Sequence, residues 1–235
     1  MIITSLHLQN GTLLIAALIN IVMSIIVFSR GMKNKINLYF GLLTFFNFLW
    51  ALSLFFARTL ESDIWFLAAQ LAYPFALGIA VFLLYFSLYF PFINHKFNYI
   101  VHFLIWIPAI FLAVIPFISG AFIVSSEKHI SQTLYILYYY KPMYVIFTVY
   151  FFIIVITAIF NLFKKYKKID GPLSKQTRWL SFAIIIGLLT GSYFDLILCY
   201  FGNFKYVWIG PIFTAFMNGY VFYLITSSKE KINNG

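Results

Sequence analysis

Seven stretches of about twenty mostly apolar residues occupy this chain, and nearly all of its 16 Lys and Arg fall in the gaps between them. A bilayer core about 30 Å thick takes roughly 20 apolar residues in a helix to cross, because backbone amides left unpaired in hydrocarbon are too costly. The stretches run Gly11 to Ser29, Asn37 to Ala57, Ile64 to Phe90, Tyr99 to Ser119, Pro142 to Phe163, Trp179 to Tyr200 and Val207 to Thr226. With charged residues at 9% of the chain, a soluble fold is excluded. The expected class is an all-α integral membrane protein, a seven-transmembrane helix bundle. Since no loop is long enough to form a soluble unit, a single domain over residues 1–235 is expected.

Orientation follows from the basic residues, because Lys and Arg resist translocation while Asp and Glu contribute little. Twelve lie on one side: Arg30, Lys33, Lys35, Lys96, Lys164, Lys165, Lys167, Lys168, Lys175, Arg178, Lys229 and Lys231. Four lie on the other: Arg58, Lys128, Lys141 and Lys205. The asymmetry puts the N-terminus outside and the C-terminus in the cytoplasm. The net charge of +10 does not point to nucleic acid, since the basic residues are scattered over loops instead of lining one soluble face. Lipid headgroups are the expected counterions, at about 1 kcal/mol per basic residue near the surface. The dense run from Lys164 to Arg178 reads as a topology signal, with a docking surface for a cytoplasmic partner as the other reading.

Chemistry-bearing patterns are sparse. One cysteine, Cys199, excludes an internal disulfide framework and a Cys-based zinc cluster. None of the four His sits at a metal-ligand spacing, and no Ser or Cys can be paired with a base deep in a pocket. A Schiff-base retinal protein would need a lysine within a span, and the spans have none. No enzyme activity, cofactor or metal is therefore expected. The N-terminus lacks a basic n-region and a small-residue cleavage site, so the first stretch reads as a retained helix. Asn10-Gly11-Thr12 spells a glycosylation sequon, but it adjoins the membrane and is read as a chance match.

The one long connection, Gly120 to Lys141, carries β-branched and aromatic residues on either side of the polar center Ser125-Ser126-Glu127-Lys128. It is expected to form a small hairpin over the outer mouth of the bundle. The alternative is an interfacial segment in which Tyr135, Tyr138, Tyr139 and Tyr140 all anchor at headgroup level.

Polar residues inside the spans carry the functional information, because hydrocarbon makes each one costly unless it faces protein. Asp195 is the only carboxylate within a span, and such a charge costs about 2.5 to 3.5 kcal/mol near mid-helix. Ala183, Gly187 and Gly191 precede it at four-residue intervals, a spacing that lets a second helix approach closely. Similar rows are Ala16, Asn20 and Ser24; Asn47 and Ala51; Gln70, Pro74 and Gly78; and Gly210, Thr214 and Asn218. Asn20, Asn47, Gln70, Asp195 and Asn218 are thus expected to converge on the interior, between the midplane and the outer surface. That describes a ligand cup open to the outside, with kinks at Pro74 and Pro211 to widen it. The competing account is that the amides only hydrogen-bond between helices, while Asp195 snorkels or accepts a bond from Tyr193 or Asn218.

Several motifs resemble a known family. The stretch Asn37-Leu38-Tyr39-Phe40 with Trp50-Ala51-Leu52, and Tyr73-Pro74 with Phe82, Phe86 and Tyr89, resemble the seven-transmembrane region at the N-terminus of some bacterial sensor histidine kinases. Lys175-Gln176-Thr177-Arg178 before the sixth span and Gly210-Pro211 opening the seventh are similar in kind. The resemblance covers essentially the whole chain. It implies a multi-pass protein of the bacterial plasma membrane, an input module that senses an extracytoplasmic or membrane-borne stimulus. It also implies a cytoplasmic signalling output reached through the seventh helix, and dimerization. Only Ser227 to Gly235 follow the last span, so the kinase or cyclase output is expected on a separate or continuing segment.

On this reading an unidentified small ligand contacts Asp195, Asn47, Gln70, Tyr73 and Asn218, with Asp195 as counterion or acceptor for a polar or cationic group. The ligand shifts the helices only by binding two arrangements unequally. The alternative class is a small-solute transporter in which Asp195 binds substrate or a coupling proton; no internal repeat supports it.

Overall fold

The computed structural model of the chain describes residues 2–61, 64–91, 99–129, 134–167 and 172–233. Its helices are α1 (Ile2–Ser29), α2 (Lys35–Thr59), α3 (Ile64–Tyr89), α4 (Tyr99–Val114), α5 (Lys141–Tyr166), α6 (Pro172–Ser192), α7 (Leu198–Tyr200) and α8 (Ile209–Asn233). A 3-10 turn at Ile115–Phe117 follows α4, strands β1 (Ile123–His129) and β2 (Leu134–Tyr139) precede α5, and a π-helical turn at Tyr193–Ile197 joins α6 to α7. Among the described residues, six segments are long and apolar enough to span a bilayer, the last being Thr177–Tyr200, and Ile209–Ile225 is a shorter apolar helix. The chain is a seven-helix membrane bundle.

Local chemistry sets the helix limits. Gly31 takes φ of +107°, a left-handed conformation open to glycine, and its amide bonds to the Phe28 carbonyl at 3.1 Å to end α1. Three residues on, the Asn34 side chain accepts from the Ile36 amide at 2.9 Å and starts α2. The short link makes the two helices antiparallel neighbors.

Packing closes a ring in which α1 meets α2, α2 meets α3, α3 meets α5, α5 meets α6, α6 meets α8 and α8 returns to α1. Helix α3 is the most enclosed, with 72% of its apolar window buried, whereas α4 leans on α3 with 28% buried. Close approach depends on small residues: a Cβ at Gly41 would overlap the Phe28 ring, and one at Gly78 the Phe46 ring. Polar groups add bonds between helices, as where Ser24 Oγ donates to the Gly41 carbonyl at 2.9 Å. Ile25, Leu104, Ile110, Ile156 and Phe216 are exposed on the outer surface, where acyl chains would cover them.

Several expected boundaries move. Helix α1 begins at Ile2 instead of near Gly11, and Gln9 and Asn10 within it reach α2. Arg58, expected in an outer loop, sits in the last turn of α2 at 2% exposure; its Nε donates to Asn10 Oδ1 at 2.9 Å and its Nη2 to Gln9 Oε1 at 2.8 Å. Asn10 is accordingly helical and 8% exposed, a poor site for glycosylation. Pro211 does not interrupt a helix: it lies in the first turn of α8, where its missing N–H forfeits no internal bond. Pro74 does lie inside α3.

Candidate functional site

The site is built on the seam between α6 and α8. A Cβ at Gly187 would stand 2.9 Å from the Met217 Cβ, and one at Gly191 would stand 3.7 Å from the Thr214 Cγ2. One step further, a Cβ at Gly210 would overlap the Asp195 carboxylate and come within 3.1 Å of Trp50 Cη2. The row of small residues leading to Asp195 thus fits antiparallel against Gly210, Thr214 and Met217, and brings the carboxylate against the head of α8.

Asp195 itself lies on the π turn, where the Leu198 amide reaches back to the Tyr193 carbonyl. The extra residue in such a turn rotates the next side chains relative to a continuous α-helix, and these turns recur at functional positions. Two bonds fasten it: Tyr144 Oη on α5 donates to the Leu196 carbonyl at 2.9 Å, and Cys199 Sγ donates to the Phe194 carbonyl at 3.8 Å.

Both carboxylate oxygens of Asp195 are buried and, among the described residues, have no hydrogen-bond partner. Asp195 borders a cavity of about 50 Å³ that is also lined by Trp50, Tyr73, Tyr135, Phe151 and Phe204. Tyr193, one of the partners considered for Asp195, is instead 48% exposed on the outer surface.

The hairpin closes over this region by presenting one face inward. Lys128 pairs opposite Tyr135 and Ser126 opposite Leu137, with a one-residue slip between Ile123 and Ser125. In a regular strand Ile123 and Lys128 would project to opposite sides, since side chains alternate. The bulge at Val124 brings both to the inner face and leaves Val124 exposed. Tyr135 and Leu137 are buried there, while Tyr138 and Tyr140 point outward, so the four tyrosines do not act as one interfacial anchor. Tyr139 completes the inner face: its hydroxyl bonds that of Tyr73, and its ring lies 4.2 Å from that of Tyr144. Lys128 crosses to the carbonyls of Ala57, at 3.2 Å, and Leu60, which end α2, and stands 5.4 Å from the Trp65 ring center. Burial pushes the Lys128 ammonium below its ordinary range, with Glu61 acting the other way. Burial first, then Cys199 and Asp195, push the Tyr135 hydroxyl up, while Arg58 opposes them.

Of the residues expected to contact ligand, Asp195 and Tyr73 meet at the cavity. Asn47, Asn218 and Gln70 do not border it. Asn47 is fully buried and donates to the Leu43 carbonyl of its own helix at 3.0 Å. Asn218 donates to Asn20 Oδ1 at 2.7 Å and ties α8 to α1. Gln70, only partly buried, donates to the Pro116 carbonyl at 2.7 Å beyond α4. Three amides thus serve helix packing. Trp50 and Tyr135 border the cavity without having been expected there; the alternation of Tyr135, Leu137 and Tyr139 along β2 is the signal that marks an inward face.

No curated protein matches the chain. The family described as the N-terminal 7TM region of histidine kinase matches residues 12–229, which include the Asp195 cavity and all of the bundle except the start of α1 and the end of α8. Such a region is a membrane sensor input rather than a catalytic unit. The chain belongs to this family of histidine kinase N-terminal seven-transmembrane regions.

Proposed function

We propose that this bundle, acting as one domain, detects a small ligand in the Asp195 cavity and passes the signal through α8 to a cytoplasmic histidine kinase output. The observation that carries the reading is the unpartnered Asp195 carboxylate lodged against Gly210, the second residue of α8. A ligand that draws the carboxylate toward the cavity loosens its contact with α8, and one that pushes it back tightens it. Occupancy and the position of α8 are coupled in this way, which is the differential contact a ligand needs to shift an equilibrium. The basic-residue asymmetry supports an orientation with the hairpin outside, so that ligand arrives beneath it and α8 leads to the cytoplasm. Homodimerization through the kinase output accompanies this reading.

The test is autophosphorylation in nanodiscs of this chain joined to a histidine kinase output. Asp195→Asn, Asp195→Leu and Gly210→Ala are each expected to change the ratio of active to inactive kinase. Unchanged output in all three folded variants would sink the reading. Saturable solute uptake by proteoliposomes would place the chain among transporters instead.

A further inference from the structure

Resting on the reading of the Asp195 cavity as the ligand site, we infer that its ligand is a small organic ammonium ion of no more than about five non-hydrogen atoms. Protonated amines and methylated ammonium ions of that size fit the description. Asp195 supplies the countercharge and the surrounding rings supply the walls.

The charge follows from who is left without a partner. Both Asp195 oxygens are buried and unbonded, and the residues bordering the cavity include no Lys, Arg or His. None of the bordering side chains that could donate, Trp50, Tyr73, Tyr135, Ser192, Cys199 and Thr214, bonds either Asp195 oxygen: Thr214 donates to the Pro211 carbonyl at 3.0 Å, Cys199 donates to the Phe194 carbonyl, and Tyr73 shares a bond with Tyr139. The group that satisfies the carboxylate therefore arrives with the ligand. An anion would add like charge beside a buried carboxylate, an apolar molecule would leave both oxygens unpaired, and a neutral hydroxyl would bring a donor but no countercharge.

The walls favor the same class. Trp50, Tyr73, Tyr135, Phe151 and Phe204 border the space, and the electron-rich faces of such rings attract ammonium groups. Arg58, the buried cation whose charge acts on Tyr135, is not among the bordering residues and is held by Asn10 and Gln9.

Size is set by volume. A space of about 50 Å³ holds roughly three to five waters at ~10–15 Å³ each, so methylammonium to tetramethylammonium fit and larger cations do not. With so few atoms, dissociation constants of about 10 μM to 10 mM are expected.

The purified chain in nanodiscs would be titrated with methylammonium and tetramethylammonium chloride, against sodium acetate and neutral tert-butanol at matched ionic strength. Trp50 fluorescence reports binding, with Trp50→Phe as background. Saturable binding of at least one ammonium ion, absent for acetate and tert-butanol, is the expected result. Asp195→Asn should weaken it roughly ten- to a hundredfold, and Asp195→Glu should recover part of the loss. Should Asp195→Asn fail to fold, the comparison of charged and neutral probes on the unaltered chain still decides. Equal binding of tert-butanol, or binding of acetate, overturns the cation assignment. No saturation by either ammonium ion to 100 mM also overturns it; if the Asp195 variants still alter kinase output, the ligand-site reading stands, and if they do not, both fall.

Discussion

Gly210 lies so close to Asp195 that a β-carbon at position 210 would overlap the carboxylate. Gly210→Ala must therefore move the carboxylate, the π turn or the start of α8. Overpacking of this kind costs about 1–3 kcal/mol. A lowered unfolding midpoint in detergent is expected, and unaltered stability would show that the two helices separate freely at this point.

The contact between Asn218 and Asn20, 2.7 Å across the interface of α8 with α1, is the amide pair that links the first and last helices. Hydrogen bonds between membrane helices contribute on the order of 0.6 up to ~2 kcal/mol. Asn20→Ala and Asn218→Ala are each expected to destabilize the bundle by that amount, and the double variant by less than their sum. A double-mutant cycle on unfolding in mixed micelles measures the coupling, and strict additivity would remove the bond from the account.

Tyr144 acts at a distance on Asp195 by donating to the Leu196 carbonyl within the π turn. Tyr144→Phe removes that donor and leaves a buried carbonyl short of a partner, at a cost of about 1–3 kcal/mol. Labelling of Asp195 by a hydrophobic carbodiimide is expected to speed up in this variant as the turn loosens. Labelling at the original rate would show that the turn holds without Tyr144.

The hairpin should respond to alkaline pH in two opposed ways. Lys128 has its folded pKa lowered by burial below 10.5, so between the two values the unfolded chain binds more protons and stability rises with pH toward 10.5. Tyr135 has its folded pKa raised above 10.0, so its contribution is intact below 10.0 and is lost as pH climbs beyond it. Unfolding midpoints across pH 8 to 11 are expected to flatten on the rising side in Lys128→Met and on the falling side in Tyr135→Phe. Identical profiles in the parent and both variants would contradict the assigned burial.

Much of the architecture was legible because bilayer thickness and backbone satisfaction act on each segment alone. Seven apolar stretches could be counted without knowing their neighbors, and in the row Ala183, Gly187 and Gly191 the two glycines marked the face on which α8 packs. The small rows likewise identified Asn20, Asn47 and Asn218 as buried, as each is at 0% exposure.

What a row cannot express is which row it meets. Four-residue spacing specifies a face of a helix, but depth and rotation depend on the side chains opposite, so one interior amide finds another at Asn20 and Asn218 while Asn47 turns to its own backbone. The π turn at Asp195 has no periodic signal, and Arg58 looked like a loop charge because its partners Gln9 and Asn10 are 49 and 48 positions away in the chain. Segment by segment, then, the chain alone determined that it crosses the membrane, and which side chains avoid lipid. Only tertiary packing selected Asp195 and Tyr73 for one cavity, because which polar groups meet depends on how far each helix slides and turns against the next.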